Sequence, residues 1–265
     1  MSVAVKQALD PVINRTNIPC NFDRGVGERA RIGIIQLATD QTAEHEFRQI
    51  MGRPGVATYA SRIYNDNNIT PETLKALEGE VAKGTSLILP GRPLDVVGFC
   101  CTSGAMIIGD DKVASLIRKV RPGVGYTSPM AGAIAAMKAL GMRRVAMLTP
   151  YVQAINDLMR AYIHAAGPVV PVMGSFTIAD DSKVAQITER AVRDAAIALA
   201  RETAVDGVFL SCSSIRALGV IEEVEAALGL PMISSNQSMA WHMLRLAGIK
   251  DEVPGMGRLL RTQLA

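Results

Sequence analysis

Two stretches of this chain end a short apolar run in a cysteine and follow it with small hydroxyl residues. The first is Val96-Val97-Gly98-Phe99-Cys100-Cys101-Thr102-Ser103-Gly104-Ala105, and the second is Val208-Phe209-Leu210-Ser211-Cys212-Ser213-Ser214. A cysteine at a helix start sits among free backbone N–H groups and the positive helix end, which favour the thiolate and lower its pKa. The same donors, with the hydroxyls of Thr102, Ser103 and Ser213, suit a substrate carboxylate. One strand-end cysteine alone reads equally well as a small buried hydrophobe. Two at matching places in two similar halves point to Cys101 and Cys212 facing each other across one small-molecule site. Cys100 belongs on the opposite face of its strand, in the core.

Four more residues stand where they can reach such a site. Asp40 follows the first apolar run; it lines the cleft or caps the next helix. Tyr151 follows Pro150 at another strand end, where its hydroxyl donates to a carboxylate or enolate oxygen or packs half-buried. Asn156, five residues into the next helix, is a candidate ligand contact. Asn236 follows the last strand and is better placed as a cap. His45, His164 and His242 fall on predicted helices with no partner at metal-ligand spacing. Gly33 and Gly98 lie inside strands, and neither G-x-G-x-x-G nor a P-loop occurs, so no nucleotide cofactor is expected.

The elements that must position these residues alternate. Apolar runs predict strands at 31–37, 56–63, 94–100, 123–126, 144–149, 169–176, 206–211 and 231–234. Helical spacing follows at 42–47, from Thr70 (N-cap, with Pro71 at N1 and Thr73 at N3), and at 105–120, 129–140, 152–165, 182–202, 216–228 and 238–247. Strand alternating with helix defines an α/β protein with parallel sheets, which bind ligands at the carboxyl ends of their strands. Every candidate above lies at or just beyond such an end. The expected division is an N-terminal arm over 1–29, a first α/β subdomain over 30–124 plus 231–265, and a second over 125–230, with the site in the cleft. Pro11, Pro19 and Gly25-Val26-Gly27 break the arm.

The chain has 265 residues, 49% of them apolar and only 4% aromatic, enough for one large domain or two smaller ones. Its 28 basic and 25 acidic residues give a net charge of +3, which argues against a nucleic-acid face. No apolar run is long enough to cross a bilayer, and the first 28 residues lack a signal-peptide core. A cytoplasmic protein without a membrane partner is expected. Four cysteines without paired metal spacing fit reduced thiols.

With these residues in view, the sequence resembles the aspartate/glutamate racemase superfamily, in its maleate cis-trans isomerase and arylmalonate decarboxylase branch. The likeness spans about residues 30–248. It is carried by Ile32-Gly33-Ile34-Ile35 leading to Thr39-Asp40-Gln41-Thr42-Ala43-Glu44, by Cys101-Thr102-Ser103-Gly104, by Arg144-Val145-Ala146 leading to Pro150-Tyr151, and by Leu210-Ser211-Cys212-Ser213. The resemblance implies two Rossmann-like subdomains with parallel four-stranded sheets related by a pseudo-twofold. It implies no metal or organic cofactor, and a homodimer or homotetramer. In its racemases two thiols act as acid and base on opposite faces of the α-carbon. In maleate isomerases the first cysteine adds to the double bond, and in the decarboxylases a glycine replaces it. The position of Tyr151 holds a substrate-binding tyrosine. This chain keeps both cysteines, which favours a cofactor-independent isomerase or racemase of a small carboxylic acid. A decarboxylase using Cys212 and a non-catalytic acid-binding protein are the alternatives. Maleate isomerases carry asparagine where this chain has Asp40. A carboxylate there opposes a dicarboxylate and suits a substrate bearing a positive group. With Ser234-Ser235-Asn236-Gln237 and Trp241-His242, that points toward the ectoine-utilisation type.

Overall fold

The computed structural model describes residues 13–264. Of the expected arm, residues 1–12 lie outside the described residues. Residues 13–28 form neither helix nor strand and, Gly27 apart, are exposed.

The first half runs β1 (Ala30–Leu37), α1 (Ala43–Met51), β2 (Val56–Ile63), α2 (Pro71–Ala76), α3 (Glu78–Leu87), β3 (Val96–Cys100), α4 (Thr102–Ile108), α5 (Asp110–Val120) and β4 (Gly125–Thr127). The second runs α6 (Pro129–Ala139), β5 (Arg144–Thr149), α7 (Gln153–Ala165), β6 (Val169–Ser175), α8 (Asp181–Val184), α9 (Glu189–Ala200), β7 (Gly207–Leu210), α10 (Ile221–Leu228), β8 (Met232–Ser234) and α11 (Ser235–Leu246). The strands form two four-stranded sheets, ordered β2-β1-β3-β4 and β6-β5-β7-β8, with every ladder parallel. The same order twice explains the matching cysteines. In each sheet the two inner strands carry the site: Asp40 and Cys101 lie just beyond β1 and β3, Tyr151 and Cys212 just beyond β5 and β7. All residues of β3 and β7 are buried, as strands covered by helices on both faces require.

The ladders move the expected division of the chain. β4 pairs with β3, so the stretch from 125 stays with the first sheet, and β8 pairs with β7, so the stretch at 231 stays with the second. Each crossing therefore falls one short strand later. The return is made by α11, which packs on α1, α6 and β3. It lies close over Gly98, where a Cβ would drive into the flexible end of Met239 and would lie 2.8 Å from the Met243 sulfur.

Several expected helices also differ, and the one expected from Thr70 through Leu87 is two, α2 and α3, meeting at Leu77. The run from 105 to 120 is two helices broken at Gly109, whose φ of 95° ends α4. The long helix expected at 182–202 is α8 and α9, with α9 capped by Thr188. The helix expected from 216 begins only at a 3₁₀ turn, Leu218–Val220, so the chain after Cys212 is irregular. Thr70 caps α2 as expected, with the Thr73 side chain completing the capping box.

α6 and α11 meet through Gly132, where a Cβ would stand 2.8 Å from the Ser238 carbonyl oxygen and 3.0 Å from the Met239 Cα. Backbone cannot rotate away as a side chain can. Gly132→Ala is therefore expected to lower stability by about 1–3 kcal/mol in urea unfolding, despite alanine's better helix propensity. Unchanged or higher stability would mean that the two helices are not in close contact.

Candidate active site

The strand ends converge on one small cavity of about 30 Å³, lined by Cys101, Thr102 and Ser103 from the first half and Tyr151, Asp181, Cys212 and Ser213 from the second. Leu37, Leu74, Leu77 and Ile69 supply its apolar wall. The volume suits bound water rather than a four-carbon acid. Beside it a seam joins the halves: Asn68 bridges to Asp180, the Ile69 N–H donates to the Ala179 carbonyl, and the Asp181 N–H donates to the Asn67 carbonyl.

Cys101 is the N-cap of α4, its sulfur accepting from the Gly104 N–H at 3.3 Å. The Cys212 sulfur accepts from the Ser214 N–H at 3.4 Å. Tyr151 is buried and lines the cavity with Cys212. All described cysteines are free thiols, and Cys100 is fully buried in the core.

The expected low-pKa thiolates are not found. Burial, with the charges of Asp181 and Asp40 adding to it, pushes both Cys101 and Cys212 up to about 12. The helix after Cys101 is only two turns long, and none follows Cys212, so one N–H each offsets little of the desolvation. Burial therefore favours the protonated thiol at both positions.

Asp40 is buried behind the cavity wall. Its Oδ1 accepts from the Thr42 and Ala43 N–H groups at 2.8 Å each, capping α1, while Oδ2 has no hydrogen-bond partner among the described residues. Burial pushes its pKa up to about 6. Asn156 is not a ligand contact: its Oδ1 accepts from Thr149 and its Nδ2 donates to the Tyr151 carbonyl. It fixes the turn that presents Tyr151. Asn236 is not a cap, a role taken by Ser234. Its Nδ2 donates to Glu46 and to the Ser213 carbonyl. Of the other expected residues, Thr102 donates to Ser235, while Ser103 and Ser213 face the cavity.

Three contributors escaped the sequence reading. Asp181 lines the cavity and accepts from Thr39 of the first half at 2.6 Å and from Ser214 of the second at 2.9 Å. Its local sequence signals only a helix start. Ser235 accepts from both the Cys212 N–H and the Thr102 hydroxyl, at 3.0 Å each, tying the two cysteine turns together. Glu46 accepts from the N–H groups of Ala217 and Leu218. Among the described residues no His/Cys/Asp/Glu group is arranged to hold a metal ion, and no helix is long and apolar enough to cross a membrane.

This fold is shared with solved maleate isomerase and arylmalonate decarboxylase structures. The maleate isomerase Iso from Pseudomonas putida S16 superposes with a TM-score of 0.80 at 24% identity, over 88% of this chain and 98% of that one. A liganded arylmalonate decarboxylase variant superposes with a TM-score of 0.78 at 27% identity, over 87% and 98%. A family model of arylmalonate decarboxylase matches residues 60–260, and the chain belongs to that family. Among curated relatives, the maleate isomerase of Nocardia farcinica is 26% identical over 89% of this chain and 97% of its own length. The arylmalonate decarboxylase of Bordetella bronchiseptica is 30% identical over 72% and 81%.

Two measurements test these electrostatics. The pKa of Asp40 is higher folded than unfolded, so between about pH 4 and pH 6 the folded state holds a proton that the unfolded state has lost. Stability falls as pH rises through that window. Asp40→Asn removes this component and gains on the order of 3 kcal/mol at pH 7, with a flatter profile than wild type. Parallel profiles would place a solvated carboxylate at residue 40. In the second test, iodoacetamide at pH 8 labels exposed Cys20 at least about a hundredfold faster than Cys101 or Cys212 in the unliganded protein. Comparable rates, read by mass spectrometry, would contradict the raised pKa values.

Proposed function

We propose that this protein is a cofactor-independent isomerase or racemase of a small carboxylic acid, with Cys101 and Cys212 as its two reacting groups. The observation that carries this reading is a single cavity lined by both thiols, one from the corresponding strand end of each sheet. The hydroxyls of Ser103, Ser213 and Tyr151 reach the same space and are the donors for a carboxylate and for the enolate-like charge that develops on it. Burial makes a thiolate formed here a stronger base than one in water, which suits removal of a weakly acidic α-proton. One sulfur takes that proton while the other thiol delivers its own from the opposite face. For an unsaturated acid the thiolate instead adds to the double bond, rotation follows, and the thiolate leaves again. A Nocardia farcinica maleate cis-trans isomerase variant with a covalently bound succinylcysteine intermediate supports such addition in a relative of the same fold.

A decarboxylase is the second reading, favoured by the family match and by the relative at 30% identity. There, loss of carbon dioxide leaves an enediolate that one thiol protonates. Cys101 would then be dispensable.

Cys101→Ala and Cys212→Ala are each expected to lower turnover by at least about a thousandfold with unfolding transitions unchanged. Incubation with candidate acids in deuterium oxide, followed by NMR at the α-carbon, checks this. Near-wild-type exchange in either variant removes the two-thiol scheme. Decarboxylation retained in Cys101→Gly selects the second reading.

A further inference from the structure

The ionisable groups around this cavity are unbalanced in sign. Its lining contains two thiols, a tyrosine and the carboxylates of Asp66 and Asp181, and no lysine, arginine or histidine. Asp40 and Glu46 lie behind it, both buried. Among the described residues, none of Asp40, Glu46 and Asp181 forms an ion pair. Buried carboxylates without a cation are costly and are ordinarily compensated by N–H donors. Glu46 has three such bonds, from Ala217, Leu218 and Asn236. Asp40 has two on one oxygen and none on the other. Among the described residues Asp181 has no N–H donor to its side chain, whose partners are the hydroxyls of Thr39 and Ser214. It is 5% exposed and is the one of the three that borders the cavity.

We infer that Asp181, backed by the unpartnered oxygen of Asp40, is the receptor for a positively charged nitrogen on the substrate. The acid handled here carries a protonated amine or amidinium on or beside the reacting carbon, and is not a dicarboxylate. This rests on the proposed two-thiol reading of the same cavity and names its substrate class. Each oxygen of Asp181 keeps a lone pair after its hydroxyl bond, so a cation is held without breaking the bridge between Thr39 and Ser214. The hydroxyls of Ser103, Ser213 and Tyr151 remain for the substrate carboxylate. The lining thus offers a zwitterion both hydroxyl donors and a carboxylate acceptor in the same cavity as the two sulfurs. A cation beside Asp181 also offsets one of the charges that, after burial, oppose loss of a thiol proton to solvent.

The test compares three acids of similar size: 2-aminobutyrate, its isostere 2-methylbutyrate with methyl in place of ammonium, and maleate. Dissociation constants come from the ligand dependence of the melting temperature. Wild type is expected to bind 2-aminobutyrate at least about tenfold more tightly than either other acid, and Asp181→Asn to abolish that preference. The inference is overturned by maleate or 2-methylbutyrate binding as tightly as the zwitterion, by an unchanged preference in Asp181→Asn, or by no binding of 2-aminobutyrate. Failure of the two-thiol reading is seen separately, as α-deuterium exchange that persists in Cys101→Ala or Cys212→Ala. Maleate isomerised by wild type but not by those variants would sink the charge inference and leave the thiols in place.

Discussion

The site depends on a stretch of chain that has no regular structure of its own. Residues 211–217 follow β7 outside any helix and, Arg216 apart, buried, so their polar backbone groups must find partners elsewhere. Many of those partners come from residues that pack with the first sheet. Ser235 receives the Cys212 N–H, Asn236 donates to the Ser213 carbonyl, Thr42 donates to the Ser214 carbonyl, and Glu46 receives the Ala217 N–H. A buried donor or acceptor left without its partner costs about 1–3 kcal/mol, so this turn is held in one arrangement only while the two halves stay docked. Position of the second thiol and docking of the lobes are one constraint.

That constraint explains the path of the chain. β8 completes the second sheet, and without a loop α11 begins at once and crosses onto the first. Its first two residues, Ser235 and Asn236, are therefore delivered to the junction, and Gly98 and Gly132 let the rest of the helix settle against β3 and α6. From the other side, Asp181 is gripped by a hydroxyl from each half. The closed cavity exacts an electrostatic cost: burial raises the pKa values of the thiols, Tyr151, Asp40 and Glu46 together. Where the thiols, Tyr151, Asp40 and Glu46 are all held back from ionising, a bound positive group has most to offer.

Much of this was legible in the chain. Buried parallel strands are continuous apolar runs, and cysteines at two of their ends, with Tyr151 at a third, are visible without a structure. What was not legible is what depends on distance. The spacing of apolar residues after Cys212 reads as a helix, but Glu46, far away in sequence, holds that segment open. The thiols read as acidic because a helix start is local, whereas the burial that overrides it is tertiary. Asp181 looks like any residue opening a helix, and only the approach of the second half to Thr39 brings it to the cavity. Asn156 read as a ligand contact because its spacing is right; its amide is consumed by Thr149 and Tyr151.

The racemase form of the two-thiol proposal requires one sulfur on each side of a single reacting carbon. The most direct measurement takes one enantiomer of an acid that the enzyme turns over and follows the first turnovers in deuterium oxide. Two thiols on opposite faces predict solvent deuterium in the newly formed enantiomer while the unreacted one keeps its proton. Return of the substrate's own proton to the product would mean that a single base serves both faces, and would contradict the account.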